Sequence, residues 1–132
     1  MFGHVFIERK KNGKIQKGCL AFQITESNQF QVQLSKVHMG NSEFPQDHFS
    51  RKEGREIAYE HLEKNPILIS DHTLHSQLIN EKMIPGIHMT YLVSMPWKCF
   101  NNRVLARLAV QSAIADKIIE PNWSIPSKNK KN

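Results

Sequence analysis

The chain has 132 residues, which is enough for one hydrophobic core but not for two. Its 18 Lys and Arg against 12 Asp and Glu give a formal charge of +6, which favours anionic partners such as nucleotides or nucleic acid and argues against a DNA mimic. No apolar run approaches the roughly 20 residues of a membrane helix and no signal peptide is recognisable, so we expect a cytoplasmic protein without a membrane partner. Its two cysteines, Cys19 and Cys99, form no CxxC pair and are expected to be small core residues.

Apolar and polar residues alternate over the first 38 residues, which is typical of half-buried strands. The Asn12-Gly13 pair is a strong signal for a two-residue hairpin loop. A second turn is expected at 25–28. The sequence therefore predicts a three-stranded antiparallel meander with one apolar face that needs a cover.

A helix is predicted over 50–64, because Ser50 and Glu53 form an S-x-x-E capping box and Asn65-Pro66 ends the pattern. The apolar run at 66–70 predicts a short buried strand. A short helix is predicted at 71–81 and a further strand at 87–94.

The longest predicted helix begins with Asn101 or Asn102 as its cap and runs to about Glu120, before Pro121. Its apolar stripe is wide enough to contact a second subunit as well as the sheet, so we expect a homo-oligomer. The predicted fold class is α+β, an antiparallel sheet covered by two main helices. One domain is expected at 1–120, followed by a mostly flexible basic tail at 121–132, in which Trp123 and Ile125 are the candidates for contact with the body.

The arginines stand at the wrong ends of both main helices. A helix start carries partial positive charge, yet Arg51, Lys52 and Arg55 crowd the first turns of one helix, and Arg103 and Arg107 those of the other. Each such charge costs a few tenths of a kcal/mol when exposed, and a bound anion removes that cost. The alternative is that these charges are simply solvated.

Aromatic residues precede both helices: Phe49 and Phe100 directly, with Trp97 nearby. A ring beside a cationic helix start suits a nucleobase, and Asn101 or Asn102 would read the edge of the base. The alternative is that both phenylalanines anchor the helices in the core. The predicted ligand-binding residues are Phe49, Arg51, Lys52, Arg55, Trp97, Phe100, Asn101, Asn102, Arg103 and Arg107.

The segment Asp47–Ala58 (DHFSRKEGREIA) resembles a pattern of small phage and prophage proteins, roughly D-x-F-[SN]-R-K-x-G-R-x-I-A. Among them, the overall plan resembles the anti-Thoeris sponge proteins, which sequester cyclic ADP-ribose isomers made by host TIR-domain enzymes. The resemblance implies an oligomeric counter-defence protein in the cytoplasm of an infected bacterium, holding a small anionic nucleotide with arginines and an aromatic residue. The chain departs from the pattern at Tyr59, Glu60 and His61, where small and basic residues are usual.

The main alternative is a module that binds nucleic acid or inhibits a nuclease. It would use the basic hairpin Lys10–Lys17 and the lysine-rich tail to follow a phosphate backbone. A protein that binds a host protein directly is a further alternative.

An enzyme is the less favoured interpretation. The H-x-T element His88–Thr90 resembles half of a 2H phosphoesterase site, but two such elements are needed, and His48–Ser50 lies at a helix cap. Asp71, His72 and His75 have metal-ligand spacing, although surface histidines explain them better. We therefore predict no catalytic residue, metal site or cofactor.

Overall fold

The computed structural model describes residues 2–27, 29–36, 51–80 and 101–126. Several sequence-based expectations lie outside these ranges: the strand at 87–94, the cap at Ser50, and the H-x-T element. The last residues of the predicted tail also lie outside them.

A four-stranded antiparallel sheet in the order β1-β2-β3-β4 is the central layer. Its strands are β1 (Phe2–Lys11), β2 (Lys14–Ile24), β3 (Phe30–Lys36) and β4 (Ile67–Ile69). The meander of the first three strands is as predicted from the sequence. The short fourth strand is also present, but its predicted burial is wrong for Leu68, which is exposed, and only Ile69 is buried.

The hairpin loop between β1 and β2 fixes their register. Asn12 and Gly13 have φ values of 54° and 77°, the left-handed conformation that a two-residue type I′ loop requires at both positions. Lys11 is therefore paired with Lys14, and the pairing continues to Phe2 against Gln23. Side chains alternate between the two faces of the sheet from this fixed point.

Helices cover both faces of the sheet. α1 (Arg51–Lys64) packs on the face that carries Cys19 and Ala21, whereas α2 (Asp71–Asn80) and α3 (Asn102–Ala115) belong to the main core on the opposite face. The α+β class is thus confirmed, with the two main helices on opposite sides of the sheet. No helix in the described ranges is long and apolar enough to cross a membrane.

α3 ends at Ala115, so the predicted end near Glu120 is wrong. Lys117 takes a left-handed conformation with φ of 60°. Its N–H donates to the Ile114 carbonyl (3.0 Å), and the next N–H donates to the Ala113 carbonyl (2.8 Å). These two bonds form a Schellman motif, which satisfies the last carbonyls and turns the chain away before the proline.

The residue after α3 contacts the capped start of α2, where the Ser70 hydroxyl accepts a hydrogen bond from the Thr73 N–H (3.2 Å). One carboxylate oxygen of Asp116 accepts a hydrogen bond from the Ser70 N–H (3.0 Å), and the other accepts one from the Thr73 hydroxyl. A carboxylate at a helix start satisfies unpaired N–H groups and favours the helix dipole. This contact ties the end of α3 to the start of α2.

The first part of the predicted tail is packed. Trp123 is only 2% exposed and belongs to the core, with the Arg9 guanidinium 4.7 Å from the centroid of its ring. Arg9 also pairs with the Glu120 carboxylate (3.1 Å). Ser124 pairs with Glu8 through two backbone hydrogen bonds of 2.9 Å. The predicted boundary is too early, because a large ring buried by non-local contacts continues the domain past Glu120.

The apolar width of α3 is used within one chain. Its positions pack against the sheet, α2 and the Trp123 segment. The buried residues of α3 are Leu105, Leu108, Ala109, Val110, Ser112 and Ala113. An oligomer stays a prediction, and this helix no longer argues for it.

We predict that a chain ending at Glu120 is much less stable than one ending at Pro126. The shorter chain lacks the buried ring of Trp123, and large-to-small changes of this kind cost about 3–5 kcal/mol of unfolding free energy. Chemical denaturation of the two chains measures the difference. Equal denaturation midpoints would show that the Trp123 segment contributes no core packing.

Candidate functional site

One side of α1 faces one side of β1. Arg51, Arg55 and Tyr59 recur at every fourth position, so they form a single row on the helix. On β1, His4 and Phe6 point to the same face of the sheet as Cys19 and Ala21, their pairing partners. The row of Arg51, Arg55 and Tyr59 and the pair of His4 and Phe6 are together called the α1–β1 seam.

Small residues on β2 bring α1 close to the sheet. Ala58 and Leu62 on the helix are buried against Cys19 and Ala21 on the strand. Because the side chains on the strand are short, the helix approaches closely and its neighbouring row reaches the edge strand β1. The position of the α1–β1 seam thus follows from the packing of α1.

The rings of the seam contact one another in sequence. The Arg51 guanidinium carbon lies 4.9 Å from the centroid of the Phe6 ring. The His4 ring stands edge-on to Phe6 at 5.4 Å and edge-on to Tyr59 at 5.7 Å between centroids. Nδ1 of His4 lies 2.9 Å from the Tyr59 hydroxyl oxygen, within hydrogen-bond distance. A continuous polar and aromatic surface therefore runs from the start of α1 toward the start of β1.

Arg55 supplies the positive charge at the centre of the seam. Burial, and then the charge of Arg55, lower the pKa of His4. Burial and the neighbouring Cys19 raise the pKa of the Tyr59 hydroxyl, and Arg55 opposes that rise. Among the described residues, no carboxylate forms an ion pair with Arg55 or Arg51. The seam is thus positively charged.

The structure separates the residues predicted to bind the ligand. Arg51 and Lys52 are exposed and Arg55 is half-buried on α1, whereas Arg103 and Arg107 are exposed on α3. The sheet lies between these two helices. One chain therefore brings Arg51 and Arg55 together and leaves the arginines of α3 on the other face.

The asparagines at the start of α3 are also on that other face. The Asn101 side chain accepts a hydrogen bond from the Val104 N–H (2.9 Å), so Asn101 is the cap, of the two residues Asn101 and Asn102 that the sequence left open. Asn102 is exposed in the first turn. The predicted aromatic partners Phe49, Trp97 and Phe100 lie outside the described residues.

Sequence reasoning missed His4, Phe6 and Tyr59. A meander with one apolar face assigns the even-numbered side of β1 to solvent, whereas the structure covers that side with α1. One sequence feature could have indicated this cover: the aromatic rings of His4 and Phe6 lie on the face of β1 opposite to the buried Ile7. Tyr59 lies one helical turn after Arg55 and therefore on the same side of α1. In the sequence it is recognisable only as a departure from the phage pattern.

The described ranges contain no group of three or more His, Cys, Asp and Glu residues able to hold a metal ion. His75 is 9% exposed, while Asp71 and His72 are exposed on α2. None of these three residues therefore belongs to such a group within the described ranges.

No protein-family model matches this chain, and no curated protein or solved structure matches it. A functional proposal therefore depends on the geometry of the α1–β1 seam and on the resemblance of the segment Asp47–Ala58 to the phage pattern.

We predict that the Cys19 thiol is unreactive in the folded protein. Burial raises its pKa to about 11, which Arg55 only partly opposes. At pH 8 such a thiol is ionised in about one molecule in a thousand, against roughly one in four for a free cysteine. In a Cys99→Ser background, modification by a thiol reagent should be slower than in denaturant by about two orders of magnitude or more. Equal rates with and without denaturant would contradict the burial of this group.

Proposed function

We propose that this protein binds and sequesters a small anionic nucleotide at the α1–β1 seam. The observation that supports this proposal is that Arg51 and Arg55 lie one helical turn apart on the same side of α1. Among the described residues, no carboxylate forms an ion pair with either arginine. Structural arginines are usually balanced by acids when they are partly buried. An anionic ligand would supply the missing negative charge.

Guanidinium groups suit phosphate better than other cations do. Their planar donors form paired hydrogen bonds with phosphate oxygens, and such charge-assisted bonds are about twice as strong as neutral ones. Arg51 is the first residue of α1, where the helix dipole also favours an anion. The phosphate groups of the nucleotide would therefore lie over Arg51 and Arg55.

Aromatic rings at the other end of the seam suit a nucleobase. Phe2 is 68% exposed and stands edge-on to Tyr59, with 6.4 Å between ring centroids. An exposed phenylalanine offers a face on which a base can stack, and base–aromatic stacking contributes about 1–3 kcal/mol per base. The distance from Arg55 to Tyr59 is one turn of α1, about 6 Å along the axis.

The ionisable groups favour binding over turnover. The pKa of His4 is lowered, and those of Cys19 and Tyr59 are raised, so all three are neutral near pH 7. The protonated thiol of Cys19 and the protonated phenol of Tyr59 are poor nucleophiles, and His4 is held in a hydrogen bond with Tyr59. We therefore propose that the nucleotide leaves the protein unchanged.

The resemblance of the segment Asp47–Ala58 narrows the class of nucleotide. It favours cyclic ADP-ribose isomers and a counter-defence role for a phage. These molecules combine a pyrophosphate with an adenine ring, which matches the order of arginines and rings along the α1–β1 seam.

We predict that Arg55→Gln weakens the binding of cyclic ADP-ribose by about thirtyfold or more, because a desolvated charge-assisted contact contributes about 2–5 kcal/mol. Arg51→Gln should weaken binding by a smaller factor, because Arg51 is exposed and its charge is screened by solvent. Lys64→Gln is the matched control, since Lys64 lies on the same helix but pairs with Glu60 at 2.9 Å. Isothermal titration calorimetry measures the affinities, and thermal unfolding checks that each variant folds.

Arg103→Gln tests whether the start of α3, as well as the start of α1, binds the ligand. We expect this variant to bind like the unmodified protein, because α3 lies on the opposite face of the sheet. A loss equal to that of Arg55→Gln would instead place α3 of a second copy in the site. Unchanged binding by Arg55→Gln and Arg51→Gln would refute the proposed site.

A second candidate function is nucleic-acid binding by the basic hairpin. Lys10, Lys11 and Lys14 are all exposed around the type I′ loop, while Lys17 lies 3.7 Å from the Glu8 carboxylate. A projecting loop with exposed lysines suits a phosphate backbone.

For this alternative, the triple change of Lys10, Lys11 and Lys14 to Gln should lower the salt dependence of DNA binding. Removing one lysine–phosphate interaction reduces the slope of log affinity against log salt by about 0.9 for duplex DNA, so a reduction of roughly two to three is expected. Fluorescence anisotropy at several salt concentrations measures it. An unchanged slope would show that the lysines of the hairpin do not contact DNA phosphates.

A further inference from the structure

The hydrogen bond between His4 and Tyr59 determines what the second nitrogen of the histidine can do. The two atoms are 2.9 Å apart. Tyr59 keeps its proton near neutral pH, because burial and the nearby Cys19 raise its pKa. When that hydroxyl donates to Nδ1, the neutral imidazole carries its own proton on Nε2. Nε2–H is then the one donor of the neutral ring, on the nitrogen that does not contact Tyr59.

We propose that His4 is a third anion-binding residue of the α1–β1 seam, that Tyr59 is the positioning residue that fixes its tautomer, and that anion binding is coupled to protonation of His4. This inference rests on the proposed function. It adds a donor and a proton linkage to the two arginines, and it names the ligand group as the pyrophosphate, whose two phosphates together carry two negative charges.

The groups around His4 explain the linkage. On α1 it faces Arg55 and Tyr59, and along its own strand it contacts Phe6. On β2 its pairing partner is Ala21, and Cys19 is paired with Phe6. Burial and the positive charge of Arg55 both disfavour the imidazolium form in the free protein. A dianion bound between Arg55 and His4 would offset the charge of Arg55 and raise the pKa of His4.

The direction of the pH dependence follows from this effect. The pKa of His4 is lowered in the free protein and rises when the anion binds. Affinity is then highest below the free-state pKa and falls as the pH rises through the bound-state pKa. At pH 8 the imidazole is neutral in both states and contributes only its Nε2–H donor.

Sulfate tests this coupling, because it stays doubly charged from about pH 5.5 to about pH 8. Isothermal titration calorimetry at constant ionic strength would compare the unmodified protein with His4→Gln. His72→Gln is the matched control, since His72 is exposed on α2, on the other side of the sheet. We expect sulfate to bind the unmodified protein and His72→Gln about three- to tenfold more tightly at pH 5.5 than at pH 8, and His4→Gln with little pH dependence.

Nitrogen NMR of the histidine rings tests the role of Tyr59. In the unmodified protein at pH 8, we expect Nδ1 of His4 to be unprotonated and Nε2 protonated, and we expect sulfate to raise the pKa of this ring. Tyr59→Phe keeps the aromatic contacts but removes the hydroxyl, so a mixture of the two tautomers should appear. A purely structural Tyr59 predicts no tautomer change.

Three results would overturn the inference. One is an equal pH dependence in His4→Gln and the unmodified protein, and another is sulfate binding that does not change with pH. The third is the absence of sulfate binding at both pH values. The proposed function is judged separately by the cyclic ADP-ribose titrations, so these results can refute the role of His4 while the nucleotide site stands.

Discussion

The register of β1 against β2 decides which side chains meet each helix. The left-handed conformations of Asn12 and Gly13 close the two strands with a two-residue loop and fix every later pair. A slip of one residue would exchange the two faces of β1. Phe6 would then enter the main core, and Ile7 would lie under α1. Both the core and the α1–β1 seam therefore depend on this loop.

The arginines of the protein fall into two different environments. Arg9 is 8% exposed and satisfied: its Nε donates to the Gln16 amide oxygen at 2.8 Å, and it pairs with Glu120 at 3.1 Å. It also lies against the ring of Trp123, so its charge is balanced by groups that the fold supplies. Arg55 is half-buried, yet no described carboxylate pairs with it. This contrast separates an arginine whose charge the fold balances from the arginine that we propose as a ligand contact.

Local signals in the sequence are sufficient for much of the fold. The Asn-Gly loop, the alternation of the strands and the Asn65-Pro66 stop are short-range features, and the elements they predict are present. The end of α3 and the contacts that bury Trp123 are not predictable in this way. They depend on Asp116 meeting Ser70 and on Trp123 meeting Arg9, contacts between residues far apart in the chain.

The same distinction applies to the candidate site. Arg51 and Arg55 are recognisable because a positive charge at a helix start is a local anomaly. The contact of His4 with Tyr59 joins residues 55 positions apart, and it exists only because α1 packs on the small residues of β2. The arginines of α3 show the same local anomaly as those of α1. The arginines of α3 nevertheless lie on the other face, because the sheet separates α3 from α1. No local sequence pattern shows which two helices a sheet separates.

The measurement that tests the central claim most directly is NMR chemical-shift mapping during titration with cyclic ADP-ribose. The proposed site predicts that the largest changes occur at His4, Arg55 and Tyr59, with little change at the start of α3. Changes concentrated at Arg103 and Arg107, with the α1–β1 seam unaffected, would contradict it.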